Sequence, residues 1–258
     1  MLIDTHCHID AADFDTDRDA VLEAAREAGV KQFVVPGVEV AGFEGIAQLA
    51  SVQPDIHVAY GIHPLYVQHA YPEDLGVLED WLSCRNPVAV GEIGLDHFVA
   101  DADHALQERY FVAQLKLAQR FGLPVILHVR RAVDAVLKQL RRIEVPGGIA
   151  HAFNGSRQQA DVFIGMGFKL GFGGAMTFDG SQRIRKLAAS LPLEAIVLET
   201  DAPDIPPAWA NGGRNELANL ARFCTILADL RGAEVADIAQ ATTHNARSVL
   251  PGLLRCAA

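Results

Sequence analysis

Eight short apolar runs punctuate the chain, and amphipathic stretches fill the gaps between them. The runs are Leu2 to His6, Gln32 to Pro36, His57 to His63, Val88 to Glu92, Pro124 to His128, Gly148 to Phe153, Phe168 to Phe172 and Ile196 to Asp201. Between them lie helix-like segments such as Asp17 to Ala28, closed by Gly29, and His104 to Phe121, closed by Gly122, where a glycine just past the last turn is the expected stop signal. Strands separated by helices read as βαβ units and a parallel sheet. Eight such units in 258 residues predict an α/β fold, one (β/α)8 TIM barrel over residues 1–258 as a single domain. The runner-up, an open doubly wound sheet, would carry a glycine-rich phosphate loop after its first strand, and here that turn reads His6-Cys-His-Ile-Asp10.

Composition supports a large core, with 50% hydrophobic and 21% charged residues. No apolar run reaches the 18 or more residues a membrane helix needs, and the N-terminus lacks the basic and apolar regions of a signal peptide. Cys7, Cys84, Cys224 and Cys256 are scattered without a Cys-x-x-Cys pair, which suits reduced thiols. The expectation is a cytoplasmic protein without membrane contact or an obligate protein partner. A net charge of -10 opposes broad nucleic-acid binding, which releases counterions through many Lys and Arg contacts. The basic runs Lys138 to Arg142 and Arg183 to Lys186 fall in helical patterns and read as solvated outer faces.

Polar residues cluster where the runs end. On a strand, His6 and His8 project to the same side, so two imidazoles share one volume and can chelate one ion. Glu92 ends the fourth run, His128 the fifth and Asp201 the eighth, and His151 lies near the end of the sixth. In a barrel these positions open onto one mouth, so six side chains of metal-ligand type converge there.

The segments His6-Cys-His8, Gly91-Glu92-Ile-Gly-Leu-Asp96, Leu-Pro-Val-Ile-Leu-His128, His151-Ala-Phe-Asn-Gly-Ser156 and Leu198-Glu-Thr-Asp201-Ala-Pro203 together resemble the motif set of the TatD-type metal-dependent deoxyribonucleases, within the amidohydrolase-like barrel superfamily. The resemblance runs in order from Leu2 to about Leu250. It implies one or two divalent ions per chain, commonly magnesium, and phosphodiester hydrolysis at nucleic-acid ends, DNA and by extension RNA; the mixed imidazole and carboxylate ligands themselves suit magnesium, manganese or zinc. It also implies His6, His8, Glu92, His128, His151 and Asp201 as ligands. Paired ions need a bridging carboxylate, for which Glu92 is the candidate. One ion would then take His6, His8, Glu92 and Asp201, the other Glu92, His128 and His151, with Asp201 orienting or deprotonating the attacking water.

His63, in Gly61-Ile-His63-Pro64, matches a position that lines the family's pocket, and Arg130 and Arg214 are candidates to grip phosphate. Arg131 reads as the start of the next helix and Asn215 as a helix cap. His97 is a candidate pocket residue, whereas His57, His69, His104 and His244 read as local or solvent-facing. The cluster Gly171-Phe-Gly173-Gly174 fits a phosphate cradle or close packing equally well. A hydrolase of the same barrel acting on an amide, lactone or ester is the alternative function; a nuclease requires Arg130, Arg214 and His63 to face the metals.

Overall fold

In the computed structural model, residues 1–254 are described; Cys256 lies outside them. Each apolar run contributes a strand: β1 (Leu2–Asp4), β2 (Val30–Pro36), β3 (Ile56–Tyr60), β4 (Ala89–Asp96), β5 (Val125–Arg130), β6 (Gly148–Ala150), β7 (Phe168–Phe172) and β8 (Ile196–Leu198). The connecting stretches form α1 (Arg18–Glu27), α2 (Phe43–Val52), α3 (Asp74–Cys84), α4 (His104–Phe121), α5 (Val133–Leu140), α6 (Arg157–Gly165), α7 (Gln182–Ser190), α8 (Asn219–Arg231) and α9 (Val235–Val249). The eight strands form one parallel sheet in sequential order, the signature of a (β/α)8 TIM barrel. Backbone hydrogen bonds bring its two edges together: Thr5 N–H donates to the Leu198 carbonyl at 3.2 Å and Asp201 N–H to the His6 carbonyl at 2.8 Å. Among the described residues no helix is long and apolar enough to cross a membrane.

Local chemistry explains the element ends. Asp103 caps α4 by accepting from Leu106 N–H at 2.9 Å, and Gly122 stops it in the left-handed conformation at φ 63°. Ser156 and Gln159 form a reciprocal capping box that starts α6.

Two apolar volumes hold the barrel. Outside the sheet, Phe33, Phe43, Phe111, Phe163 and Phe223 are fully buried between strands and helices, each stabilising the fold by about 1.5–3 kcal/mol relative to exposure. Inside it, Ile3, Val34, Ala59, Ala89, Ile126, Ile149 and Val197 pack against Val249, Leu250 and Leu253 from the end of α9 and the turn beyond. This plug closes one end and leaves the other for polar side chains.

Six strand ends differ from the sequence expectation: β3 stops at Tyr60 before His63, β5 runs past His128 to Arg130, β6 stops at Ala150 before His151, and the other three bear on the site directly. β1 stops at Asp4, so His6 and His8 lie beyond it rather than on alternating strand positions. β4 continues past Glu92 to Asp96, and β8 ends at Leu198, before Asp201. The β4 difference has a local cause. Val90 pairs with Val125 but Ile93 pairs with Leu127, so β4 spends one extra residue against β5 and Glu92 sits in that irregularity. Gly94 is required there: at φ 149° an added Cβ would lie 2.0 Å from the His128 carbonyl oxygen.

Candidate metal centre

Glu92 lies at the middle of the open end, buried at 2% exposure. Its two oxygens face different partners. Oε2 lies 3.2 Å from His6 Nε2 and 3.6 Å from His8 Nε2. Oε1 lies 3.0 Å from both His128 Nδ1 and His151 Nε2, and 3.5 Å from His63 Nε2. Asp201 completes the first group, its Oδ1 3.3 Å from His6 Nε2 and 3.8 Å from His8 Nε2. The six expected ligand residues therefore meet, although they come from the loops after β1, β6 and β8 as well as from β4 and β5. Asp201 is aimed by an uncommon backbone, at φ 58°, pinned by its N–H bond to the His6 carbonyl.

Burial and mutual charge set the protonation of this cluster. Burial would raise the Glu92 carboxyl, but His151, His6 and His63 and the hydrogen bond from His128 outweigh it and hold it well below the usual range. Burial, reinforced by His151, lowers His6 to about 3. Burial likewise lowers His63 to about 3 despite Glu92. For His8 and His151 the carboxylates overcome burial and push them to about 9 and about 10. Burial raises Asp201 to about 6.

The donor set fits divalent cations. An ionised carboxylate ringed by imidazole nitrogens at 3.0–3.6 Å needs positive charge between the partners. Protons supply it only in part, because His6 and His63 stay neutral. His6 and His8 turn their Nε2 atoms on each other at 3.2 Å, where the proton held by His8 occupies the place of a cation that both rings could ligate. Three overlapping sets of donor atoms lie within 4.8 Å of one another: His6, Glu92 and His151; His6, His8 and Asp201; His63, Glu92 and His128.

Residues 3–251 match the protein family described as TatD related DNase. The chain belongs to that family. Among relatives of this TatD chain, the metal-dependent hydrolase YjjV of Escherichia coli K12 is 40% identical over 94% of this chain and 95% of its own. A metal-dependent hydrolase of Haemophilus influenzae is 36% identical over 94% and 97% respectively. The crystal structure of YjjV matches with a TM-score of 0.94 at 39% identity, covering 97% of this chain and 98% of that one. A TatD family hydrolase from Entamoeba histolytica, at 17% identity and a TM-score of 0.82 over 96% of this chain and 97% of its own, shares the fold. The protein is a metal-dependent hydrolase of the TatD family.

Two carboxylates that the sequence reading did not single out support the TatD centre. Asp96 accepts from His128 Nε2 at 3.0 Å through Oδ2, while its Oδ1 accepts from the Phe98 and Val99 N–H groups at 2.8 and 3.3 Å. Glu199 is fully buried, 3.7 Å from His151 Nδ1, and burial raises its carboxyl to about 8. The signal for both was their place in the quoted motifs, Asp96 at the end of the Gly91 to Asp96 segment and Glu199 within the Leu198 to Pro203 segment.

Of the substrate candidates, His63 joins the cluster, and Arg130 sits at the rim with Nη1 3.9 Å from Asp96 Oδ2. Arg214 is spent elsewhere, a correction to its expected place: its guanidinium donates to Glu216 at 2.8 Å, to Asp17 and to the Asp13 carbonyl, and covers the Phe14 ring. Asn215 caps no helix. It is buried and donates to the Thr200 carbonyl at 2.7 Å, bracing the loop after β8, while α8 begins at Asn219. Arg131 precedes α5 in a left-handed conformation at φ 54°. His97 lies against His104 with ring centroids 4.3 Å apart and planes tilted by 31°, and His57 within β3 meets Gln32 Nε2 at 2.9 Å. Gly171 and Gly173 serve close packing: added Cβ atoms would lie 2.1 Å from Glu199 Oε2 and 2.3 Å from the Glu199 carbonyl oxygen.

Proposed function

We propose that the chain cleaves phosphodiester bonds at nucleic-acid ends, DNA foremost, with divalent ions that Glu92 and the side chains around it would hold. The observation that carries this reading is the division of the Glu92 oxygens between His6 and His8 on one side and His128 and His151 on the other. His6, His8, Glu92 and Asp201 would hold one ion, and Glu92, His128 and His151 the other. Paired ions supply Lewis-acid polarisation of the phosphoryl oxygen and a nucleophile available near neutral pH.

The chain's own groups provide positioning and proton transfer. Asp201 is held by its backbone beside both His6 and His8, and its carboxylate accepts the proton of the attacking water. His63 Nδ1 accepts from the Leu65 N–H at 3.2 Å, so the neutral ring carries its proton on Nε2, which faces the centre and donates to a phosphate oxygen. Arg130 adds a fixed positive charge at the rim. Two of the three groups required of a nuclease, His63 at the centre and Arg130 at its rim, favour a phosphate over an uncharged carbonyl substrate; the third, Arg214, is engaged elsewhere.

The deciding experiment digests end-labelled single-stranded DNA and RNA with magnesium, manganese or zinc, beside a chelator control and a panel of esters. Shortening by single nucleotides that stops in chelator is the expected result. Ester turnover without shortening would overturn it.

A further inference from the structure

Phe98 lies two residues beyond β4 and is 45% exposed, although it is large and apolar. Two guanidinium groups stack on its ring, with Cζ of Arg130 3.8 Å and Cζ of Arg131 4.5 Å from the centroid. Arg130 also leans on Asp96 Oδ2 at 3.9 Å, and Asp96 holds His128 of the metal centre. The stack is therefore continuous with the centre along the β4 and β5 rim. Many arginines of this acidic chain are bonded to carboxylates, as Arg18, Arg26, Arg120, Arg157 and Arg214 are. Among the described residues neither Arg130 nor Arg131 makes such a hydrogen bond.

The β4 and β5 rim thus offers a polyanion a cationic path away from the centre, one that sets a partly exposed aromatic ring beside two guanidinium groups free of carboxylate hydrogen bonds among the described residues. Aromatic faces for bases beside cations for the backbone are the elements by which proteins hold single strands without reading sequence.

We propose that the substrate strand leaves the metal centre over the Phe98 stack, a base next to the cleaved bond packing against the exposed part of the ring and its guanidinium planes while the N–H groups of Arg130 and Arg131 hold flanking phosphates. This rests on the phosphodiesterase reading above and makes it narrower. The preferred substrate is a single strand with at least one nucleotide beyond the cleaved bond, not an isolated small diester.

The test measures kcat/KM on a ten-residue thymidylate strand and on bis-p-nitrophenyl phosphate, together with anisotropy of the same strand carrying an internal fluorescein in chelator. Phe98→Ala is expected to lower the strand-to-small-diester ratio and to weaken strand binding, each by about 10-fold. Phe98→Trp should retain both values. Arg131→Ala should weaken strand binding and reduce the log–log salt slope by about 0.7, the loss of one phosphate contact. Arg85→Ala, which removes a guanidinium stacked 4.8 Å over Trp81 outside the metal centre, should change none of these. Equal losses on both substrates in Phe98→Ala, or unchanged strand binding, would overturn the proposal. If the unaltered protein cleaves neither substrate, the phosphodiesterase reading fails, and the anisotropy series alone decides whether this stack holds a strand.

Discussion

Asp96 Oδ2 lies 3.0 Å from His128 Nε2, and this contact fixes which imidazole nitrogen points at Glu92. Burial would raise the Asp96 carboxyl, yet the bonds from His128, Phe98 and Val99 hold it at about 2, so it accepts and Nε2 donates. Nδ1 is left for the centre. Such outer carboxylates orient metal-binding histidines and raise their basicity. Asp96→Asn should therefore weaken metal binding by about 10- to 100-fold with the fold retained. Titration calorimetry and circular dichroism check the two halves of that statement.

Glu92→Gln removes the carboxylate charge shared by the surrounding histidines at nearly constant volume. Metal content per chain, measured by elemental analysis after dialysis, should fall, and hydrolysis should drop by at least about 1,000-fold. Wild-type turnover by this variant would remove Glu92 from its assigned place.

The metal-free protein should lose stability as pH rises above neutrality. His8 and His151 titrate at about 9 and about 10 in the fold, against about 6.5 when unfolded, because Glu92 and Asp201 outweigh burial. Their folded-state pKa values are raised, so their stabilising contribution is complete below about pH 6.5 and is lost as pH climbs through 9 and 10. Glu199, raised to about 8 by burial, acts with the same sign up to that pH. His6 and His63 act below this window, because both titrate at about 3. Thermal melts in chelator should show a falling Tm from pH 6.5 to 10, and saturating divalent metal, which takes up the same lone pairs, should flatten the decline. A Tm rising across that range in chelator would contradict the charge assignments.

Gly171→Ala places a methyl group 2.1 Å from Glu199 Oε2 in a buried site. Relief requires Glu199 or β7 to move, and the expected destabilisation is about 1–3 kcal/mol, seen as a lower urea midpoint. The same substitution at Gly29, where an added Cβ meets nothing within 4 Å but φ is 96°, tests backbone strain without the clash.

Much of the barrel was legible because apolar runs and helical periodicity repeat eight times, and the six ligand candidates could be found from their place near run ends. What periodicity could not reveal was register. The extra β4 residue becomes visible only when Val90 and Ile93 are paired with Val125 and Leu127, which is why Glu92 read as a strand end although it lies mid-strand. Arg214 was misplaced for a related reason. Its partners Asp13 and Asp17 are some 200 positions away, and nothing local to Arg214 signals that they would occupy its guanidinium. Asn215 resembled a cap because its side chain does bond to backbone, but it serves the loop carbonyls of Thr200 and Ile205 instead.

The hydrogen bond from Asp201 N–H to the His6 carbonyl joins the two extremities of the sheet inside the cluster itself. A nascent polypeptide therefore cannot assemble the group formed by His6, His8 and Asp201 until its last strand has emerged. Until the eighth strand has docked beside the first, the histidines after β1 lack Asp201, and truncation before that strand should abolish uptake of the ion proposed for His6, His8 and Asp201, not merely weaken it.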